Sequence, residues 1–294
     1  MRRTLVRLGR ACWLVFLAYL LIDLATGRLP WLGGWLPIGA ALASQLAAAL
    51  VGRRDERPDA APRTVRPPVT GTWSALNSPA DRVPSHGTRA YGQSHAIDVV
   101  AEVGPGAPGP PRPGFGWWPP ARRNAAFPGF DAPLRAVADG VVVRATDRQR
   151  DHLSRNSWPA LPYLLAEGVL RDLFGARRVI GNHLVLDLGG GTYALYAHLR
   201  RGSLAVRPGD RVRAGQLVAR CGNTGNSSEP HLHFQLMDHP VPDVASGLPF
   251  RWAGVGVPAA GTWFTVPADD AEPADAGTPA PEAGAGGEAP PGQR

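Results

Sequence analysis

The chain has 294 residues, a formal net charge of +7 and two cysteines. That length holds one large or two small domains, and two cysteines cannot build a disulfide framework. Every basic residue apart from histidine is arginine, and the arginines are scattered with no basic stripe interleaved with aromatics, which sets nucleic acid aside as a partner. The absence of lysine, with 36 Gly and 31 Pro, follows the composition bias of a high-GC bacterium.

The first 54 residues read as a membrane segment. Arginines precede an apolar run from Ala11 to Ile22, Asp23 interrupts it, and a second apolar stretch runs from Leu29 to Val51. The second is long enough to span a bilayer at about 20 residues, and the first approaches that length through Ala25. A helical hairpin turning at Thr26-Gly27-Arg28 is expected, with a single signal anchor as the other solution. The two differ in topology. Arg2, Arg3, Arg7 and Arg10 before the hairpin, with Arg53, Arg54 and Arg57 after it, put both ends of a hairpin on the cytoplasmic side; a single span puts the following domain outside.

Residues 55–68 are rich in Pro and Arg and read as a linker. A globular domain is expected over 69–267. Residues 268–294 are rich in Pro, Ala, Gly and Glu with no apolar period and read as a disordered tail. Inside the domain the pattern is mainly β. "HAIDVVAEV", "LRAVADGVVVRAT", "NHLVLDLG", "TYALYAHL", "GQLVARCG" and "HLHFQLM" are short runs rich in Val, Leu and Tyr, bounded by turn signals such as "LGGGT" and "RPGD". Two segments break the rhythm as insertions. One is a Pro/Gly/aromatic loop containing Trp117 and Trp118, and the other holds a helix expected at Tyr163–Phe174.

The chemistry gathers around "EPHLHFQL". On a strand, His231 and His233 point to one face while Leu232 and Phe234 face the core. Two imidazoles on one face suit a metal ligand beside a general base, or a pair of exposed histidines. His198 ends "YALYAHL", "GNTGNSSEP" delivers the H-x-H strand, and "GQSHAIDVV" carries His95 and Asp98.

This ordered set, from "APLRAVADGVVV" to "VRPGDRVRAGQLVARCGNTGNSSEPHLHFQL", resembles the lysostaphin/LytM-type zinc metallopeptidases, family twenty-three of the metallopeptidases, over roughly Ser85 to Met237. The resemblance implies a small antiparallel β groove, or hybrid barrel, with zinc at its floor. It implies cleavage of peptidoglycan peptides by a metal-bound water; with the apolar N-terminus this gives a bacterial cell-membrane protein whose domain is extracytoplasmic if it is to reach the wall, against the arginine count of a hairpin. It also implies roles for residues. His233 and Asp98 are metal ligands. His198 and His231 flank the water, one as general base and the other stabilising the oxyanion. Some members of the family lack site residues and bind or activate other cell-wall enzymes, a second reading of this chain.

The family's first ligand is a histidine in H-x-x-x-D, and here Ser94 holds that place. His95 is one residue late. Residues three apart do not share a strand face, so His95 reaches the metal only from a loop or bulge. His95 is the expected third ligand on that basis, with His86 as its substitute. His183 is read as a core or edge histidine, or one that orients a site residue, and His152 and His239 as surface residues. Asp210 is read as a turn former, and Trp117 and Trp118 either stack on substrate or pack on the β scaffold. "RPGDRVRAGQLVA" also resembles lipoyl and biotinyl carriers, which need a lysine that this chain lacks.

Overall fold

The computed structural model describes residues 2–55, 61–104, 106 and 108–268. Two helices open it, α1 (Arg2–Thr26) and α2 (Trp35–Asp55). Both contain stretches long and apolar enough to cross a membrane by length and composition. They pack side by side, and a Cβ on Gly9 would touch Ala41, Ser44 and Gln45. The reversal falls where the sequence places it. Gly27, at φ +60, donates its N–H to the Asp23 carbonyl at 2.7 Å, a left-handed close of α1. Asp23 also has a local task, because its carboxylate accepts the Leu29 N–H at 3.1 Å.

The rest of the described chain forms β1 (Arg63–Val65), β2 (Gly71–Asn77), β3 (Ile97–Ala101), β4 (Pro133–Arg135), β5 (Gly140–Thr146), α3 (Leu161–Leu173), α4 (Ala176–Val179), β6 (His183–Asp187) and β7 (Tyr193–Ala197). It continues with β8 (Arg211–Val212), β9 (Leu217–Arg220), β10 (Leu232–Met237), β11 (Gly247–Leu248), β12 (Phe250–Trp252) and β13 (Trp263–Val266). A nine-stranded sheet runs in the order β13-β2-β3-β10-β7-β6-β5-β8, with β11 beside β10. Its pairings are antiparallel. The expected hybrid barrel is corrected to an open sheet. Among the described residues β13 and β8 are its edges, while β4 and β9 pair with each other as a separate ribbon.

Strand parity sorts the two faces. Ile97 and Val99 of β3, Ala194 and Tyr196 of β7, and Leu232, Phe234 and Leu236 of β10 enter the main core with Trp73, Phe250 and Trp252. The alternate residues Asp98, Ala197, His233 and Gln235 lie on the opposite face, as a period of two requires. The Tyr196 hydroxyl is satisfied inside the core, accepting the Val137 N–H at 2.9 Å and donating to the Arg135 carbonyl at 3.1 Å.

Part of the stretch read as linker is structured. β1 pairs in parallel with β12, and Val65 is buried in the core. Three residues are too few for a Pro-rich segment to advertise a strand. The tail beyond residue 268 lies outside the described residues, as does Arg57. In the second insertion α3 lies at the expected place. Trp117 and Trp118 of the first do not pack on the sheet and are 71% and 80% exposed.

Candidate metal centre

The site forms where β3, β10 and β7 lie side by side. His233 pairs across the sheet with Asp98 on one side and Ala197 on the other, and His198 follows Ala197 directly. Three strands thus deliver Asp98, His233 and His198 to one face, and His231 enters from the turn before β10.

His86, not His95, completes the cluster. His86 Nε2 lies 2.8 Å from Asp98 Oδ2, and His233 Nδ1 lies 2.8 Å from Asp98 Oδ1. The ligand atoms of His86, Asp98 and His233 all fall within 4.8 Å of one another. His95 sits in the turn before β3 with Nδ1 3.3 Å from Ser94 Oγ, outside this group. His95 lies ahead of β3, and the turn that carries it does not bring its ring into the cluster.

The hydrogen bonds behind the cluster decide its protonation. Gln235 Nε2 donates to the Tyr91 carbonyl at 2.9 Å, so Gln235 Oε1 faces His233 and accepts its Nε2–H at 2.9 Å. His233 Nδ1 therefore carries a lone pair toward Asp98. Ser85 Oγ donates to the Ala96 carbonyl at 2.7 Å and accepts from His86 Nδ1 at 3.0 Å, which turns the other nitrogen of His86 to Asp98. Asn77 Nδ2 donates to Asp98 Oδ2 at 2.9 Å. Acceptors separated by 2.8 Å need a proton or a cation between them. Two imidazoles and a carboxylate are a donor set that suits zinc, so these residues fit that metal.

The electrostatics agree. Burial by itself would raise the Asp98 pKa, but the imidazoles of His86, His231 and His233 outweigh it and hold the carboxyl well below its usual range. Burial pulls His86 down, yet the charge and hydrogen bond of Asp98 prevail and raise it, so without a metal this pair retains a proton.

His198 and His231 stand beside the cluster, with ring centroids 4.7 Å apart. His198 Nδ1 donates to the Thr224 carbonyl at 2.7 Å and His231 Nδ1 to the Glu229 carbonyl at 2.8 Å. Each keeps its Nε2 as an acceptor, and that of His231 lies 3.6 Å from Asp98 Oδ1. Burial drives the His198 pKa well below its ordinary value, helped by His231 and His233. Burial also lowers His231 against the pull of Asp98. Both rings are thus neutral bases at pH 7. The "GNTGNSSEP" loop supplies both carbonyls, and its glycines are required by space. A Cβ on Gly222 would lie 2.3 Å from the Arg200 nitrogen, and one on Gly225, at φ +75, 2.4 Å from the Val179 carbonyl oxygen.

The other histidines lie elsewhere. His183 is buried at the start of β6, with Nδ1 2.8 Å from the Gly181 carbonyl, and is not in the ligand cluster. His152 is half-buried, and its two nitrogens lie 2.8 and 3.0 Å from the Leu153 and Gly225 carbonyls and help hold the loop. His239 is exposed, and Asp210 closes its turn by accepting the Arg207 N–H at 2.8 Å. Gln235 was legible in principle, since it shares the strand face of His231 and His233; Ser85 and Asn77 carried no such signal.

Residues 165–242, which include His198, His231 and His233, match the family model described as Peptidase family M23. The chain carries an M23 domain of the lysostaphin/LytM type. It is 32% identical over 111 residues to glycyl-glycine endopeptidase ALE-1 of Staphylococcus capitis, covering 38% of this chain and 23% of ALE-1. It is 34% identical over 71 residues to peptidoglycan DD-endopeptidase ShyA of Vibrio cholerae, covering 24% of this chain and 16% of ShyA. The chain therefore spans less than a quarter of the length of either relative. The catalytic domain of lysostaphin from Staphylococcus simulans aligns over 46% of this chain and 85% of its own, at 24% identity and a TM-score of 0.27. Asp98 and His86 lie upstream of the stretch matched to the family model, and the fold brings them to the histidines of the M23 domain.

Proposed function

We propose that this chain is a membrane-anchored, zinc-dependent endopeptidase that hydrolyses peptide bonds of bacterial peptidoglycan. The observation that carries the reading is the convergence of His86 Nε2, Asp98 and His233 Nδ1 beside two neutral imidazoles. His86, Asp98 and His233 would hold the metal. When bound, zinc supplies a Lewis acid and a water acidified toward neutral pH. The remaining work belongs to His198 and His231. One takes a proton from the attacking water as the new C–O bond forms and returns it to the amine nitrogen as the C–N bond breaks. The other, whose Nε2 is an acceptor in the resting site, donates a hydrogen bond to the oxyanion only after taking up a proton from solvent at that nitrogen. ALE-1 and ShyA, whose names state endopeptidase activity, support the substrate class. The two apolar helices are the proposed anchor, and action on the wall requires the domain outside the membrane.

A second reading, a non-catalytic module that binds or activates wall enzymes, draws on the displaced first ligand. His86 lies twelve residues before Asp98 rather than four. The test is zinc content of the purified chain together with release of amino termini from peptidoglycan. Stoichiometric zinc, with hydrolysis that is lost in His231→Ala while zinc remains, supports the enzyme. Zinc without hydrolysis favours the module, and no zinc after reconstitution overturns the metal reading.

A further inference from the structure

We propose that Arg10, on the N-terminal helix, is a positioning residue for the metal centre, acting through the Tyr91 turn that holds His233 in its ligating tautomer. The inference rests on the zinc reading of the His86, Asp98 and His233 cluster.

The path is a chain of direct contacts. Arg10 Nη1 donates to Asp243 Oδ1 at 2.7 Å, and Arg10 Nη2 donates to the Tyr91 hydroxyl at 3.0 Å. The same hydroxyl donates to the Asp172 carboxylate. The Tyr91 carbonyl accepts Gln235 Nε2, and Gln235 Oε1 accepts His233 Nε2–H. One guanidinium on α1 is thus separated from a metal ligand by Tyr91 and Gln235.

The turn needs such a brace. Tyr91 has φ +61, a left-handed conformation that a bulky L-residue adopts only where its surroundings hold it there. Gly92 follows at φ +70, and a Cβ there would lie 3.0 Å from Ala245 Cβ and 3.1 Å from Gln235 Nε2, so this backbone fits closely against the residue it must orient. The turn is also tied to the other histidine ligand. Ser85 N donates to the Ser94 carbonyl at 3.0 Å, and Ser85 Oγ carries His86 Nδ1, so residues 85–94 form one closed loop. The outer side of that loop and the helices together line a cavity of about 540 Å³, with Val6, Gln45 and Ala48 on the helical side. Movement of the N-terminal helices against the M23 domain acts on the loop that holds both histidine ligands.

The test uses the full chain in detergent micelles, with zinc affinity measured by competition against a chromophoric chelator and the visible spectrum of the cobalt-loaded protein. Arg10→Ala is expected to weaken zinc by about tenfold, the lower end for residues that orient a metal ligand, and to shift the cobalt spectrum. Tyr91→Phe removes only the hydroxyl and moves both readouts the same way, and the double variant is no weaker than the weaker single, because both act on one path. Arg200→Ala, which breaks the exposed pair with Asp131, leaves both unchanged. Wild-type affinity and spectrum in Arg10→Ala overturn the proposal, even if its melting temperature falls, since Arg10 then only fastens the helices. Absence of stoichiometric zinc in the wild type overturns the zinc reading itself, and this proposal with it.

Discussion

His86 Nε2 stands 2.8 Å from Asp98 Oδ2, although His86 belongs to a loop and Asp98 to the middle of the sheet. His95, three residues from Asp98, is not part of that contact. His86→Ala is therefore expected to abolish stoichiometric zinc binding, while His95→Ala leaves it intact. Metal analysis of the two purified variants distinguishes them; zinc lost from His95→Ala and kept in His86→Ala would reverse the assignment.

Gln235 carries no charge and is buried behind the cluster, yet it sets the proton on His233. Gln235→Leu removes the acceptor for Nε2–H and leaves either tautomer open to the ring. Zinc affinity is expected to fall about 10- to 100-fold, read by chelator competition, with the protein still folded at pH 7. Unchanged affinity would mean that the sheet alone orients the imidazole.

Burial lowers the His183 pKa from 6.5 to about 4. The unfolded chain binds this proton below about pH 6.5 and the folded chain only below about 4, so the unfolded state holds more protons between them. Stability therefore falls with the pH across that window, by roughly 3 kcal/mol for a full shift of this size. Denaturant unfolding at pH 7 and pH 4.5 should show the loss, and His183→Gln should remove much of it. An equal acid loss in the variant would assign the effect to other groups.

Arg112 joins the first insertion to the end of β3 and to the loop before β10. Its Nε lies 2.9 Å from Glu102 and its Nη1 3.1 Å from Glu229, both buried carboxylates. Arg112→Ala leaves them without their cation, which costs about 3–5 kcal/mol for a buried pair. The Glu229 carbonyl carries His231 Nδ1, so turnover should fall as well. Arg112→Ala combined with Glu229→Gln should recover part of the stability in urea unfolding. No recovery would place the loss outside this ion pair.

The loop glycines give a steric test. Gly225→Ala sets a methyl 2.4 Å from the Val179 carbonyl oxygen at a positive φ. The loop must then shift, taking with it the Thr224 carbonyl that orients His198. Turnover is expected to drop more than tenfold with a fall in melting temperature of several degrees, about 1–3 kcal/mol for a residue of this size strained at positive φ. Wild-type turnover would show that the carbonyl is not needed for catalysis.

Local pattern was enough for the strands and for part of the site. Alternation in "HLHFQLM" set His231 and His233 against Leu232 and Phe234, because a strand has a period of two and only one of its faces is apolar. The same rule put Asp98 opposite to Ile97 and Val99, but it left His95 as the expected third ligand by way of a loop or bulge, and the structure brings His86 to Asp98 instead. The apolar runs marked the two helices, and Gly27 marked their reversal. What the sequence could not determine is which loop folds over the finished sheet. His86 reaches Asp98 only after β3 and β10 have paired, and Arg10 meets Asp243 across 233 residues of chain. Such contacts leave no periodic trace, since they depend on where separate elements pack and not on the residues beside them. The strands β1, β11, β12 and β13 escaped notice for the same reason, being two to four residues long, and so did the seven-residue β2, whose "GTWSALN" lacks a run of β-branched residues.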